Sequence, residues 1–291
     1  MTSMKCKGAV VVNAFWRGGD DGAKKIAEAL AARGAEVSFV RTDELFMRID
    51  GGVKGNASYD FAVYLDKDIH VARLLEESGV RLFNSAESIR LSDDKMLTHI
   101  ALAAAGLPQP RTLSSPLCFS AETEDAFAER VAAELGFPIV VKKCHGAFGK
   151  QVYLARDLSE LKEKRRELLA EPHLYQEYVE CGASDIRVIV IGGKATCMMR
   201  RTASRKGEFR SNAELGGKGE RIEPNEALTS LAERAATALG LDYCGVDILE
   251  SPRGYLVTEV NSNAHFKVVQ EVTGVDVAAR YAEYMIGKVA I

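Results

Sequence analysis

The sequence predicts a mixed α/β chain, in which a small parallel-sheet α/β domain precedes two α+β units built on antiparallel sheets. Three observations carry this. Apolar strand runs alternate with helical periods through roughly the first 90 residues, the pattern of a parallel sheet with crossover helices. From Ile139 onward, turn signals such as Gly192-Gly193 separate neighbouring strand runs, the pattern of hairpins. Near the C-terminus, Cys244-Gly-Val-Asp247-Ile-Leu and Leu256-Val-Thr-Glu259-Val-Asn261 bracket the turn signal Ser251-Pro-Arg-Gly254.

The elements follow in order. Residues 9–13 read as a buried strand, 24–32 as a helix closed by Gly34, 36–40 and 61–65 as the second and third strands, 69–77 as a helix and 80–83 as the fourth strand. Gly18, Gly19 and Gly22 follow the first strand without spelling GxGxxG, so they predict a plain strand-to-helix turn and no dinucleotide site. A helix starts at Ser92 as N-cap, with Leu97, Ile100, Ala101 and Ala104 on one face, and ends at Gly106 and Pro108. The next carries Phe127, Val131 and Leu135 and stops at Gly136-Phe-Pro138. Strands are expected at 139–143, 151–155, 173–179, 185–191 and 194–201, and helices at 159–169, 225–239 and 276–288. The expected division is 1–90, 91–178 and 179–291.

The acidic hairpin is the most informative element. With a three-residue loop, 252–254, Ser251 pairs with Tyr255 and Asp247 falls opposite Glu259. Asn261, two residues on, shares the face of Glu259. Carboxylates directly opposite on a sheet repel unless a cation sits between them. A hard dication such as Mg²⁺, whose usual companion is a nucleotide phosphate, resolves the conflict.

Composition narrows the function classes. A length of 291 residues with 47% hydrophobic and 27% charged side chains fits a globular protein of about two domains. The net charge of −3 argues against a general nucleic-acid or anionic-membrane binder. No apolar run approaches the ~20 residues of a membrane span, and the N-terminal apolar stretch reads as a first strand with no signal peptide. Cys6, Cys118, Cys144, Cys181, Cys197 and Cys244 are scattered without CxxC spacing, as reduced thiols of a cytoplasmic protein would be.

Lys142 ends an apolar strand just before Cys144-His-Gly146-Ala-Phe-Gly149. Glycines that let backbone N–H groups approach phosphate oxygens, beside a lysine point charge, make a phosphate grip, although such loops are also common hairpin turns. Lys95, in the first turn of its helix, opposes the helix dipole and so suggests an external anion.

Taken in order, Asp94-Lys95, Val141-Lys142, Gln176-Glu-Tyr178, Asp185-Ile-Arg187, Phe209-Arg-Ser-Asn212, Gly245-Val-Asp247 and Glu259-Val-Asn261 resemble an ATP-grasp ligase, most closely the RimK-type branch. The resemblance covers roughly residues 90 to 290 and implies the ATP-grasp fold, two subdomains gripping ATP behind a small N-terminal α/β domain. It implies that Lys95 and Lys142 contact ATP phosphates, that Glu177-Tyr178-Val179 bond adenine mainly through backbone, and that Asp185 faces the ribose. It places Arg210, Ser211 and Asn212 near the triphosphate, and two Mg²⁺ or Mn²⁺ ions on Asp247, Glu259 and Asn261, with Glu259 bridging.

The implied activity is ATP-dependent carboxylate–amine ligation through an acyl phosphate, on small-molecule or peptide substrates, with a homo-oligomer as the family suggests. Two other readings stay open: a kinase that stops at phosphoryl transfer, and a non-catalytic ATP-binding protein. Arg200, Arg201 and Arg210 are the catalytic candidates, the first two to steady a tetrahedral intermediate or a substrate carboxylate. An acyl phosphate needs shielding from water, and segment 202–219, rich in Gly, Ser, Lys and Arg, is the expected lid. Two departures stand out. The phosphate loop carries Phe148 and Lys150 where more glycine is usual. After Asn261 comes Ser-Asn263-Ala-His265-Phe-Lys267 in place of a Ser-Pro-Gly turn, so glutamate is not carried over as substrate. His265 and Lys267 either bind a carboxylate, assist deprotonation of an amine, or belong to a loop surface.

Overall fold

A computed structural model describes residues 6–18, 21–118, 125–146, 149–203 and 218–289. Near-continuous apolar runs need a sheet covered on both faces, and the N-terminal strands obtain one. β1 (Lys7–Val12), β2 (Glu36–Arg41), β5 (Phe61–Leu65) and β6 (Arg81–Phe83) form a parallel sheet in the order β2-β1-β5-β6. A short hairpin, β3 (Met47–Ile49) and β4 (Val53–Gly55), interrupts it and was not anticipated from the sequence. Helices α1 (Asp21–Ala31), α2 (Ile69–Glu77) and α3 (Ala86–Asp93) cover the faces.

One sequence expectation is corrected in the next helix, α4 (Lys95–Ala104). Its N-cap is Asp94, whose Oδ1 accepts from the backbone N–H of Met96 at 2.8 Å and of Leu97 at 3.1 Å. Ser92 belongs instead to α3 and donates its hydroxyl to Ile89 O at 3.1 Å. The shift rotates the buried face: Thr98, His99 and Leu102 point inward, whereas Ile100 is 53% exposed.

The middle of the chain forms a second, antiparallel sheet in the order β7-β10-β8-β9, from β7 (Thr112–Ser114), β8 (Ile139–Lys143), β9 (Val152–Ala155) and β10 (His173–Glu177). Helices α5 (Ala126–Leu135) and α6 (Leu158–Leu168) pack on one face around Val131, Leu161 and Tyr175. The third sheet, order β13-β12-β11-β14-β15, comprises β11 (Ser184–Ile191), β12 (Lys194–Thr202), β13 (Lys218–Arg221), β14 (Tyr243–Ser251) and β15 (Gly254–Asn261). Helix α7 (Glu226–Ala238) covers one face; α8 (Lys267–Thr273) and α9 (Val277–Val289) cover the other.

The first and third sheets share a core. Val10, Ile26, Phe61 and Phe83 pack in one cluster with Ile189, Tyr243, Val269 and Tyr281. Buried Asn84 pins the joint, donating to Tyr243 O at 2.8 Å and Ser262 O at 2.9 Å while accepting from Tyr243 N at 2.9 Å. The middle sheet keeps its own core. No helix among the described residues is long and apolar enough to cross a membrane.

Candidate active site

The hairpin β14–β15 brings Asp247 opposite Glu259 and Gly245 opposite Asn261. The route differs from the sequence expectation in two ways that cancel. The loop holds two residues, so Ser251 pairs with Gly254 and Ile248 with Val257; a β-bulge then adds Thr258 before Glu259 meets Asp247. The bulge also explains why Thr258 and Glu259, adjacent in sequence, both line one cleft while Val257 and Val260 both enter the core.

That cleft, an open space of about 850 Å³, lies between the middle sheet and the hairpin. Its middle-sheet wall shows strand alternation at work: Val140 and Lys142 share a face of β8, and Gln176 is the cross-strand partner of Val140. Lys142 Nζ donates to Thr258 Oγ1 at 3.2 Å. Burial pushes its ammonium down to about 8, nearby Lys95 acting in the same direction and Glu259 against it. Lys95 Nζ donates to Gly146 O at 3.1 Å and lies 3.6 Å from Glu259 Oε1. Two cations and one end of the acidic pair therefore converge beside the glycine loop. Gly146 is required there: its φ is +144°, and a Cβ would meet Gln151 Oε1 at 2.5 Å.

Asp247 is buried between two arginines. Arg187 donates through Nε and Nη2 at 2.7 Å each, and Arg201 Nη2 lies 2.9 Å from Asp247 Oδ2. Burial opposes ionisation of Asp247, but the Arg187 and Arg201 guanidiniums overcome it and hold the carboxyl below the usual range. Arg201, 2% exposed, also grips both oxygens of Asp185 at 2.6 Å. Its neighbour Arg200 faces away and bonds Glu250 at 2.8 Å. Arg187 belongs to the Asp185-Ile-Arg187 motif, and the sequence assigns it no role of its own.

The residue set suits an oxygen-seeking dication. Among the described residues no three His, Cys, Asp or Glu side chains assemble a complete metal cage. Two carboxylates and an amide are the sparse protein contribution typical of Mg²⁺ sites that share the ion with substrate phosphates and water. Asn261 would offer its Oδ1 as the ligand, and its buried Nδ2 has no hydrogen-bond partner among the described residues to hold the amide in one orientation.

At the far end of the cleft lie Tyr178, Val179 and Leu249. The Glu177 carboxylate is turned into the protein, accepting from Arg111 N at 2.9 Å, Arg111 Nε at 3.0 Å and Arg253 Nη2 at 2.5 Å. Its backbone N–H is committed as well, donating to Arg111 O at 3.0 Å. Arg210, Ser211 and Asn212 fall outside the described residues, as does most of the expected lid, 204–217. His265 and Lys267 line a second cavity with Ile26, Leu65 and Asn263, between α1 and the segment that leaves β15. There Lys267 Nζ is 3.5 Å from Asp21 Oδ2, and Asn263 Nδ2 donates to Leu65 O at 3.1 Å.

A family model described as a RimK-like ATP-grasp domain matches residues 92–285. The chain is 37% identical over 229 residues to beta-citrylglutamate synthase B of Danio rerio, a match covering 77% of this chain and 55% of that protein. It is 36% identical over 220 residues to a "Probable alpha-L-glutamate ligase" of Mannheimia succiniciproducens, covering 74% of this chain and 71% of that one. The matched region spans about half the length of the first of these relatives. Among solved structures, a RimK domain ATP-grasp protein from Sphaerobacter thermophilus superimposes with a TM-score of 0.74 at 25% identity, covering 96% of this chain and 98% of that one.

Proposed function

Because the chain belongs to the RimK-like ATP-grasp family, we propose that it is an ATP-dependent carboxylate–amine ligase. The observation that carries this reading is the convergence, in one cleft, of Lys95, Lys142 and the Gly146 loop with the facing pair Asp247 and Glu259. In this reading the substrate carboxylate attacks the γ-phosphorus of ATP, ADP leaves, and an acyl phosphate forms. The amine then attacks the acyl carbon, phosphate departs, and an amide remains. Such transfer demands positioning and charge neutralisation more than covalent help.

The chain's own groups supply those needs. Lys142, buried in its wall, and Lys95 neutralise phosphate oxygens. Asp247, Glu259 and Asn261 hold Mg²⁺ or Mn²⁺, two ions by family resemblance, which when bound would offset the phosphate charge. Arg187 and Arg201 keep Asp247 ionised and fixed, so Arg201 acts as a positioning residue for Asp247. Val140, Val179 and Leu249 form the apolar end, where a base stacks beside the strand end Glu177 to Val179. The cavity at His265 and Lys267 takes the acceptor substrate, supported by its position directly after the metal-site strand. A cytoplasmic setting is supported by six cysteines of which none pairs.

The test is incubation with Mg-ATP and a matrix of acids and amines, beginning with citrate and glutamate, the components in one relative's name. ADP, phosphate and a product equal in mass to acid plus amine less water are expected. A phosphorylated acid that accumulates without an amide would favour the kinase reading, and absence of nucleotide binding would sink both.

A further inference from the structure

The middle sheet keeps a core of its own, and the chain enters and leaves it side by side. The two crossings meet at Arg111 and Glu177. Glu177 N–H donates to Arg111 O at 3.0 Å, while the Glu177 carboxylate accepts from Arg111 N at 2.9 Å and Arg111 Nε at 3.0 Å. Arg111 Nη1 also donates to Glu134 O at 3.0 Å, near the end of α5, so this side chain belongs to the middle unit. Two crossings bonded to each other act as a single point of attachment. A body hung from one point tilts unless something else holds it.

On the α4 side, Lys95 N–H donates to Cys144 O at 3.0 Å, and Gln176 Nε2 lies 3.0 Å from His99 Nε2. On the hairpin side, Lys142 donates to Thr258, a bond that gives way when Lys142 turns to a phosphate oxygen. At the other end of the cleft, Arg253 reaches from the β14–β15 turn to Glu177 Oε1 at 2.5 Å. This tie lies outside any exchange with phosphate. Burial opposes ionisation of Glu177, but Arg253 and Arg111 overcome it and hold the carboxyl below its usual range. The Arg253 side chain is half exposed and has no other polar partner among the described residues. Its substitution therefore removes one contact and leaves the turn backbone in place.

We propose that Arg253 is a positioning residue for the cleft: by holding Glu177 it keeps the middle sheet closed against the acidic hairpin, and so keeps Lys142 facing Asp247 and Glu259. The consequence for nucleotide affinity rests on reading this cleft as the ATP site; the consequence for closure does not. Lys95 supplies the reporter. As the first residue of α4 its N–H has no intrahelical acceptor, so the bond to Cys144 O protects it only while the middle sheet stays down.

The experiment is hydrogen exchange, resolved to single amides, on nucleotide-free wild type, Arg253→Met and Arg253→Lys, followed by calorimetric titration of each with Mg-ATP. Arg253→Met should speed exchange at Lys95 by about 3- to 10-fold and leave the amides of β1 unchanged. Arg253→Lys, which keeps the charge, should fall between the two. The ATP dissociation constant should rise in the same order and by a similar factor. Unchanged exchange at Lys95 overturns the proposal. So does equal acceleration at β1, which marks a general loss of stability, or faster exchange at Lys95 with ATP affinity intact. If wild type binds no nucleotide, the ATP reading fails, and exchange at Lys95 alone decides whether Arg253 holds the cleft closed.

Discussion

Arg187 holds both carboxylate oxygens of Asp247, each at 2.7 Å, across the pairing of β11 with β14. Removing one partner of a buried ion pair strands the other charge, at a cost of roughly 3 to 5 kcal/mol. Arg201 remains beside Asp247, so Arg187→Met should fall near the low end, about 3 kcal/mol, in urea denaturation. Combining it with Asp247→Asn should cost less than the sum of the two single changes. A strictly additive double variant would mean that the pair does not couple.

Lys142 bonds only a hydroxyl, Thr258, among the described protein groups. Lys142→Met should leave the fold intact and lower kcat/KM for ATP by about 10²- to 10³-fold, the usual loss on removing one transition-state donor. Thr258→Val, which merely frees the lysine, should cost far less. Steady-state kinetics at saturating acid and amine separates the two.

Glu259 faces Asp247 and lies 3.6 Å from Lys95. Glu259→Gln should raise the Mg²⁺ concentration needed for tight ATP binding by about 10- to 100-fold, the scale on which metal sites respond to altered ligation. Nucleotide titrations at stepped Mg²⁺ read this without turnover. An unchanged Mg²⁺ requirement would remove Glu259 from the metal site.

His99 supplies a pH signature. Its folded pKa is depressed to about 4, from an ordinary value of 6.5, by burial and by Lys142. The unfolded chain therefore takes up a proton before the folded chain does. The stability contribution is present in full above about pH 6.5 and is lost as pH falls toward 4, at about 1.4 kcal/mol per unit inside that window. His99→Gln should flatten this slope in denaturation curves measured from pH 4 to pH 7.

The sequence made the outline of the cleft legible wherever local rules sufficed. The facing of Asp247 and Glu259 followed from strand alternation and a turn signal, even though the loop is one residue shorter than expected and the bulge at Thr258 restores the count. The N-cap was misplaced because Ser92 and Asp94 both suit the position, and the preceding helix α3, which claims Ser92, was not recognised. Arg187 was passed over for a different reason. Its partner depends on β11 lying beside β14, a pairing of distant segments that no local pattern announces. The same holds for His99 and Gln176, joined only when α4 packs on the middle sheet.

The core shared by the first and third sheets also orders events during synthesis. Val10 and Phe61 pack against Tyr243 and Tyr281, so the outer portions cannot finish folding until α9 has left the ribosome. The middle sheet and its two helices need only residues from 112 to 177 and can assemble earlier. The nascent chain thus builds the cleft from its inside wall outward, and the acidic hairpin meets the lysines only in the last stage. Hydrogen exchange pulsed during refolding should record that sequence, with amides of β8 and β10 protected before those of β1 and β14.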